Sequence, residues 1–291
     1  MQAIKKITIV RHNLMGNNDQ SDNGNIVNEI FYDEHGNETE RLNYNFDGDL
    51  EEHIIVKYEN NHAVEERLEI GGVVTERTTR IFDDNGRVKT EERHYMEGGS
   101  DVISFTYEGD NLVLKQVVDT DEEEGEKEIW EYEENKLRRT VSYNMFGNIE
   151  SEKFYEYDGD GLITEITETS FRDDLPEKTV SIFNEKGNLT IEKRYDNKER
   201  LVARTTVHYL ENNKPHIFEE ETVRGKKITT LEYDEAGNNI TREENDQHGQ
   251  RISYVERTFD DSGNMLTAEI VMEPTLQNPG QHYRLEYKYE Y

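Results

Sequence analysis

The chain has no cysteine, four prolines and a single tryptophan in 291 residues. Without cysteine there is no disulfide framework, no thiolate metal site and no thiol nucleophile. Hydrophobic residues make up 32% of the chain and charged residues 34%, too few apolar side chains for a compact domain that buries both faces of most elements. No run approaches the roughly 20 apolar residues that a membrane-spanning helix needs. Positive charge is scarce as well: 34 Lys and Arg against 65 Asp and Glu, a net charge of −31. Phosphate recognition needs a basic stripe, so nucleic acid is excluded as a ligand and an anionic membrane surface is disfavoured. The same charge favours a soluble monomer and admits a basic protein partner. The N-terminal "MQAIKKITIVRHN" lacks the longer apolar core of a signal peptide. The expectation is a cytoplasmic chain without membrane contact, or a secreted or cell-surface one if a leader precedes Met1.

What the chain does have is aromatic residues, 17 Tyr and 10 Phe, set in alternating segments such as "EIWEY", "SEKFYEY" and "LVARTTVHY". Period-two alternation is the strand signature and has a use only if a face is buried, which argues against disorder. Turn centres recur along the chain. One series runs Gly36, Gly86, Asn135, Gly187 and Gly237, in steps of 50, 49, 52 and 50 residues. Another runs Gly48, Gly98, Gly147, Lys198 and Gly249, in steps of 50, 49, 51 and 51. With two further interleaved series, a turn falls roughly every 12 residues, the spacing of short strands in an all-β fold. The expected fold is therefore a long antiparallel meander of about 22 strands in tandem four-stranded repeats of ~50 residues. It forms one curled or closed elongated sheet, solenoid-like, with one apolar face and one wet face. A β-propeller is the alternative, weakened because its blades need apolar residues on both faces. The organisation read from this is one repeat domain over 1–291. It has an N-terminal strand and loop over 1–25, repeats over 26–270 and a capping strand over 271–291.

In "YDEHGN" the Asp after the aromatic can accept from a backbone N–H two residues on, while Gly takes positive φ. Asp33, Asp83, Asn184, Asp234 and Asp260 are read as turn-makers. The stretches "YDEHGNE", "FDDNGRV", "YDGDGLI", "FNEKGNL", "YDEAGNN" and "FDDSGNM" resemble the RHS or YD repeat over about residues 26–270, and the chain is also similar to the open sheets of MORN-variant repeats. Either resemblance implies a scaffold rather than a reaction. It further implies a shell or spacer of the kind associated with bacterial toxins.

Candidate chemistry is sparse. Asp19, Ser21 and Asn23, at alternate places before Gly24, resemble the start of a Ca²⁺ loop, although a plain loop is the simpler reading and no cofactor is expected. The nine histidines form no zinc motif and no nucleophile motif is present. Trp130, Tyr132, Tyr143, Tyr155 and Tyr157 fall on neighbouring strands and would form a binding platform if exposed. The expected function is a non-enzymatic scaffold that binds another protein, as an immunity or chaperone-like partner of a bacterial polymorphic toxin. The alternatives are a secreted or surface structural repeat protein with carbohydrate contact, and an enzyme on a propeller-like scaffold with a deep central pocket.

Overall fold

The computed structural model describes residues 3–14, 24–119, 125–172, 175–275 and 278–291. Among them are twenty-two strands and no helix. In chain order these are β1 (Lys6–Asn13), β2 (Asn25–Tyr32), β3 (Glu38–Tyr44), β4 (Leu50–Glu59), β5 (His62–Ile70), β6 (Val73–Phe82), β7 (Val88–Tyr95), β8 (Ser100–Glu108), β9 (Asn111–Asp119), β10 (Lys127–Glu133) and β11 (Lys136–Tyr143). They continue as β12 (Ile149–Tyr157), β13 (Ile163–Arg172), β14 (Leu175–Phe183), β15 (Leu189–Tyr195), β16 (Leu201–Tyr209), β17 (Pro215–Thr222), β18 (Gly225–Tyr233), β19 (Asn239–Asp246), β20 (Arg251–Phe259), β21 (Met265–Met272) and β22 (Gln281–Glu290).

All belong to one antiparallel sheet, and β1 pairs with β22 in an unbroken register from Lys6↔Glu290 to Asn13↔Tyr283. The first and last strands are therefore hydrogen-bonded to each other within the sheet. This corrects the expectation of a solenoid-like or propeller arrangement. There are no four-stranded blocks, as a solenoid or propeller would require, because β8 to β17 pair in unbroken succession. β22 has β21 on one side and β1 on the other. This pairing also removes the free edges that an open sheet would leave at the two termini.

Two compact units divide the strands. The first comprises Met1–Arg80, Arg93–Gly98 and Thr229–Tyr291, and the second Ile81–Glu92 and Gly99–Ile228. Ladders in the first run β19-β20-β21-β22-β1-β2-β3-β4-β5-β6. Those in the second run from β8 to β17.

The core is thin. Among the described residues the buried apolar side chains are Val10, Ile103, Val141, Val180, Ala203, Val207, Ala268 and Ile270, none of them aromatic. They do not share one face. Thr140 and Val141 are neighbours on β11, so they point to opposite sides of the sheet, yet they are only 6% and 1% exposed. The expected single apolar face is thus absent at this strand. Mixed faces follow from the sequence: Thr140 lies between Trp130 and Lys153, Val141 between Ile129 and Glu152, so long and charged side chains flank small buried ones on both sides.

Charged residues pair across strands. Arg139 donates to Glu131 at 2.9 Å and to Glu152 at 2.6 Å, tying β10, β11 and β12 together. Lys6 meets Glu29 at 2.6 Å, and the Tyr44 hydroxyl donates to the same carboxylate at 2.7 Å, which joins β1, β2 and β3. Each such cross-strand pair contributes roughly 0.2–1 kcal/mol.

Candidate functional site

The site begins with the turns. At Asp33 one carboxylate oxygen accepts from the backbone N–H of His35 at 2.8 Å and of Asn37 at 2.9 Å. Gly36, with φ +82°, donates back to the Asp33 carbonyl. The bond to the N–H four residues on recurs at Asn45, Asp83, Asn144, Asp158, Asn184, Asp196, Asp234, Asp246 and Asp260. The five residues read as turn-makers all have this role. At Asp196 the Arg200 guanidinium, then backbone N–H groups, bring the carboxyl down to about 2. Aromatics just before these turns, or ending other strands, also cap the sheet. The hydroxyls of Tyr107, Tyr157, Tyr209 and Tyr289 donate to the carbonyls of Val88, Leu137, Leu189 and Met265, which open or immediately adjoin the preceding strand.

An antiparallel meander has two ends. Connections that follow odd-numbered strands lie at one end and those that follow even-numbered strands at the other. Exposed large apolar residues are distributed unevenly between them. In the first unit the odd-strand end carries Leu14, Ile26, Phe46, Leu50, Ile70, Val73, Val74, Tyr95, Met96 and Met272, whereas the even-strand end carries Leu266 and Tyr291. In the second unit the odd-strand end carries Phe146, Ile149, Phe171, Leu175, Leu201 and Val223, against Ile81 and Leu162 at the other, with Phe154 inside β12. Phe46, Phe146 and Val223 sit at hairpin tips and are 64%, 75% and 83% exposed.

The Phe46 tip is held in place rather than loose. Asn25 Nδ2 donates to the Phe46 carbonyl at 2.8 Å. The Arg11 guanidinium lies 4.6 Å from the Phe46 ring and 3.8 Å from that of Tyr283. The Met96 tip is tied to β6 by its N–H on the Thr75 carbonyl at 3.0 Å. Around these tips Asp47, Asp49, Glu51 and Glu97 are exposed.

The five aromatics expected to form a platform are all half-buried and fall into separate places. Tyr132, Tyr155 and Tyr157 gather at the even-strand end of their strands. There Lys136 and Arg138 lie 5.5 Å and 5.3 Å from the Tyr157 ring. Burial raises the phenols of Tyr132 and Tyr157 above their ordinary range, and the neighbouring Tyr155 adds to this. Tyr143 stands at the opposite end under Lys127, 4.6 Å from the ring centre, in a small hollow of about 180 Å³ with Lys115, Glu126 and Glu150. Trp130 lies between, opposite Thr140.

Asp19, Ser21 and Asn23 lie outside the described residues. Among those described, no group of three or more His, Asp or Glu is placed to hold a metal ion. A cleft of about 670 Å³ opens in the first unit, lined by Ala3, Ile4, Ile7, Tyr32, Gly36, Ser262, Asn264 and Tyr291. Asn264 Nδ2 donates to Asp260 at 2.8 Å and lies 3.5 Å from the Tyr291 hydroxyl. Burial and the nearby Glu38 raise the Tyr32 phenol, so it stays neutral.

The chain matches no protein-family profile and no curated protein. Among solved structures it is similar to a porin-like protein from Bacteroides uniformis, at 12% identity and a TM-score of 0.37 over 99% of this chain and 98% of that one. It is similar to a porin-like protein from Bacteroides vulgatus at 11% identity and 0.27, over 100% and 99%. A TcdB2-TccC3-Cdc42 structure matches at 12% identity and 0.30, over 85% of this chain but 15% of that one. Likeness at this level carries no function across. The cytoplasmic placement, and with it the exclusion of a membrane, is nonetheless corrected. It leaned on the lack of an apolar helix, and among the described residues there is none that could cross a membrane, but a closed sheet of strands needs none.

Proposed function

We propose that this chain is a binding scaffold without an enzymatic activity of its own, and that it takes a cationic, amphipathic protein segment on the apolar hairpin tips of its first unit. The observation that carries this reading is the one-ended distribution of exposed apolar residues. Phe46, Leu50, Val73, Val74 and Met96 come from consecutive odd-end connections of neighbouring strands, with Asp47, Asp49, Glu51 and Glu97 beside them. Strands ~4.8 Å apart bring successive tips on one end to within about 10 Å of each other. Apolar anchors with several exposed carboxylates beside them suit a partner of positive charge, with Arg11 under the Phe46 ring as a counter-charge within the patch. Four perturbed carboxylates among the described residues have structural causes. Glu29 is held low by Lys6 and Tyr44 against its burial, Glu65 by Arg77 first, Glu219 by Lys226 and Glu286 by His12.

The test uses the whole chain and two synthetic peptides: a Lys/Arg-rich amphipathic helix former, and the same peptide with its apolar stripe replaced by serine. Calorimetric titration should show binding of the first, weakened by added salt and lost in a Phe46→Ser, Met96→Ser double variant. Equal binding of both peptides, or no binding of either, overturns the reading. So does stronger adsorption to vesicles of neutral lipid than to the amphipathic peptide.

A further inference from the structure

The cleft in the first unit has a topological cause. At the even-strand end, strand neighbours are joined by hairpins such as those over 33–37 and 260–264. β22 and β1 are also neighbours, and they pair without a hairpin between them. Beside this ladder a notch opens near the 260–264 and 33–37 hairpins, lined by Ile4, Ile7, Tyr32 and Tyr291 among others. Its volume of about 670 Å³ falls within the roughly 300–1,000 Å³ of small-molecule sites.

The lining chemistry narrows the ligand. Aliphatic and aromatic surface forms the floor and walls, and Ser262, Asn264 and the Gly36 backbone supply neutral polar groups at the rim. None of the lining side chains is that of a lysine, arginine, aspartate or glutamate. The nearest charges are engaged in the structure. Asp33 accepts from His35 and Asn37, and Asp260 from Ser262 and Asn264. The Lys5 ammonium donates to the Tyr291 carbonyl at 3.2 Å. An anionic ligand would thus meet no lining cation, and two carboxylates stand nearby. A wholly apolar ligand would leave the Ser262 and Tyr32 hydroxyls desolvated without a partner, which costs about 1–3 kcal/mol per group. A neutral sugar ring presents an apolar C–H face to a tyrosine and hydroxyls to the rim, and so satisfies both.

The geometry points to a neutral mono- or disaccharide as the occupant of this seam. The seam and the apolar tips lie at opposite ends of the first unit's strands, so this inference is independent of the protein-binding reading.

The whole chain is titrated with glucose, galactose, N-acetylglucosamine, maltose and cellobiose, and with glucuronate and sialic acid, by saturation-transfer NMR and calorimetry. Tyr291 lies beyond the end of β22 and is 42% exposed, so Tyr291→Ala leaves the ladders intact. At least one neutral sugar should bind. Tyr291→Ala should weaken it tenfold or more and Tyr32→Phe several-fold, with melting temperatures unchanged. Phe46→Ser, at the other end, should not affect it. The inference is overturned if no neutral sugar binds, if the charged sugars bind as tightly, or if Tyr291→Ala binds like the unaltered chain.

Discussion

The Thr140–Val141 pair offers the sharpest test of how this sheet is held together. Val141 is 1% exposed and Thr140, on the other face, 6%. Val141→Ala removes two methyl groups. Transfer accounts for about 1.6 kcal/mol at ~0.8 per group, and the cavity left behind brings the loss to about 2–3 kcal/mol. Thr140→Ala removes one methyl and one hydroxyl and should cost about 1 kcal/mol. Phe146→Ala, at a tip 75% exposed, should stay within about 0.5 kcal/mol. The only tryptophan, Trp130, pairs directly with Thr140, so its fluorescence during urea unfolding reports on this ladder. If Val141→Ala costs less than about 0.5 kcal/mol while Thr140→Ala keeps its cost, only one face is covered. If both are silent, burial plays no part in stabilising β11. Either result refutes the two-sided account.

Four further outcomes follow from the same structure. Gly24→Ala should destabilise the β1–β2 junction, because φ is +68° and an added Cβ would stand 2.5 Å from Val10 Cγ1 and 2.6 Å from His12 Cε1; a cost above about 1 kcal/mol in urea unfolding is expected. Asp260→Asn should cost about 1 kcal/mol, since an amide keeps the backbone bonds made at Asn45, Asn144 and Asn184 but cannot accept the 2.8 Å bond from Asn264 Nδ2, whereas Asp260→Ala loses all of them and should lower the midpoint by the equivalent of about 2–3 kcal/mol. Tyr157→Phe removes the 2.8 Å bond to the Leu137 carbonyl and should cost about 1 kcal/mol by the same measurement. Burial first, then the bond to Glu29, raises the Tyr44 phenol to about 12, while Glu29 is held below 4.5 by Lys6 and Tyr44. A raised phenol contributes stability below pH 10 that is lost as pH climbs through about 12, and a lowered carboxylate contributes stability above pH 4.5 that is lost on acidification. Phenolate absorbance compared with Tyr44→Phe should place this titration near 12, and Glu29→Gln should bring it down only partway, because burial remains.

Much of the fold could be read from the residues, and the gaps have identifiable causes. Alternation in "LVARTTVHY" and the Asp of "YDEHGN" announced the strands and turns, because both are local effects. Closure is not local: nothing in "KITIVRHN" or "QHYRLEYKYE" names the other, and their ladder forms only when the rest of the meander has turned far enough. The seam cleft depends on that ladder and was invisible for the same reason. Two-sided burial at Thr140 and Val141 was also hidden, since alternation alone treats one face as wet. The aromatic five were grouped by proximity in sequence, and the structure divides them between strand ends. The apolar tips did leave a signal. "NFDGD", "YMEGG" and "NMFGN" put Phe or Met where "DEHGN", "DDNGR" and "NEKGN" put polar residues.

Those two turn classes explain why the ends differ. Each turn reverses the chain, so successive turns fall on alternate ends of an antiparallel sheet. A recurrence of about 50 residues spans four turns, and four is even. Every copy of a given turn therefore returns to the same end: Gly36 and Gly86 to one, Gly48 and Gly98 to the other. Had the recurring block held three strands or five, apolar and polar tips would have alternated and neither end would have acquired a character. The four-stranded period, which has no standing as a separate structural block, is in this sense what sorts the tips into an apolar end and a polar one.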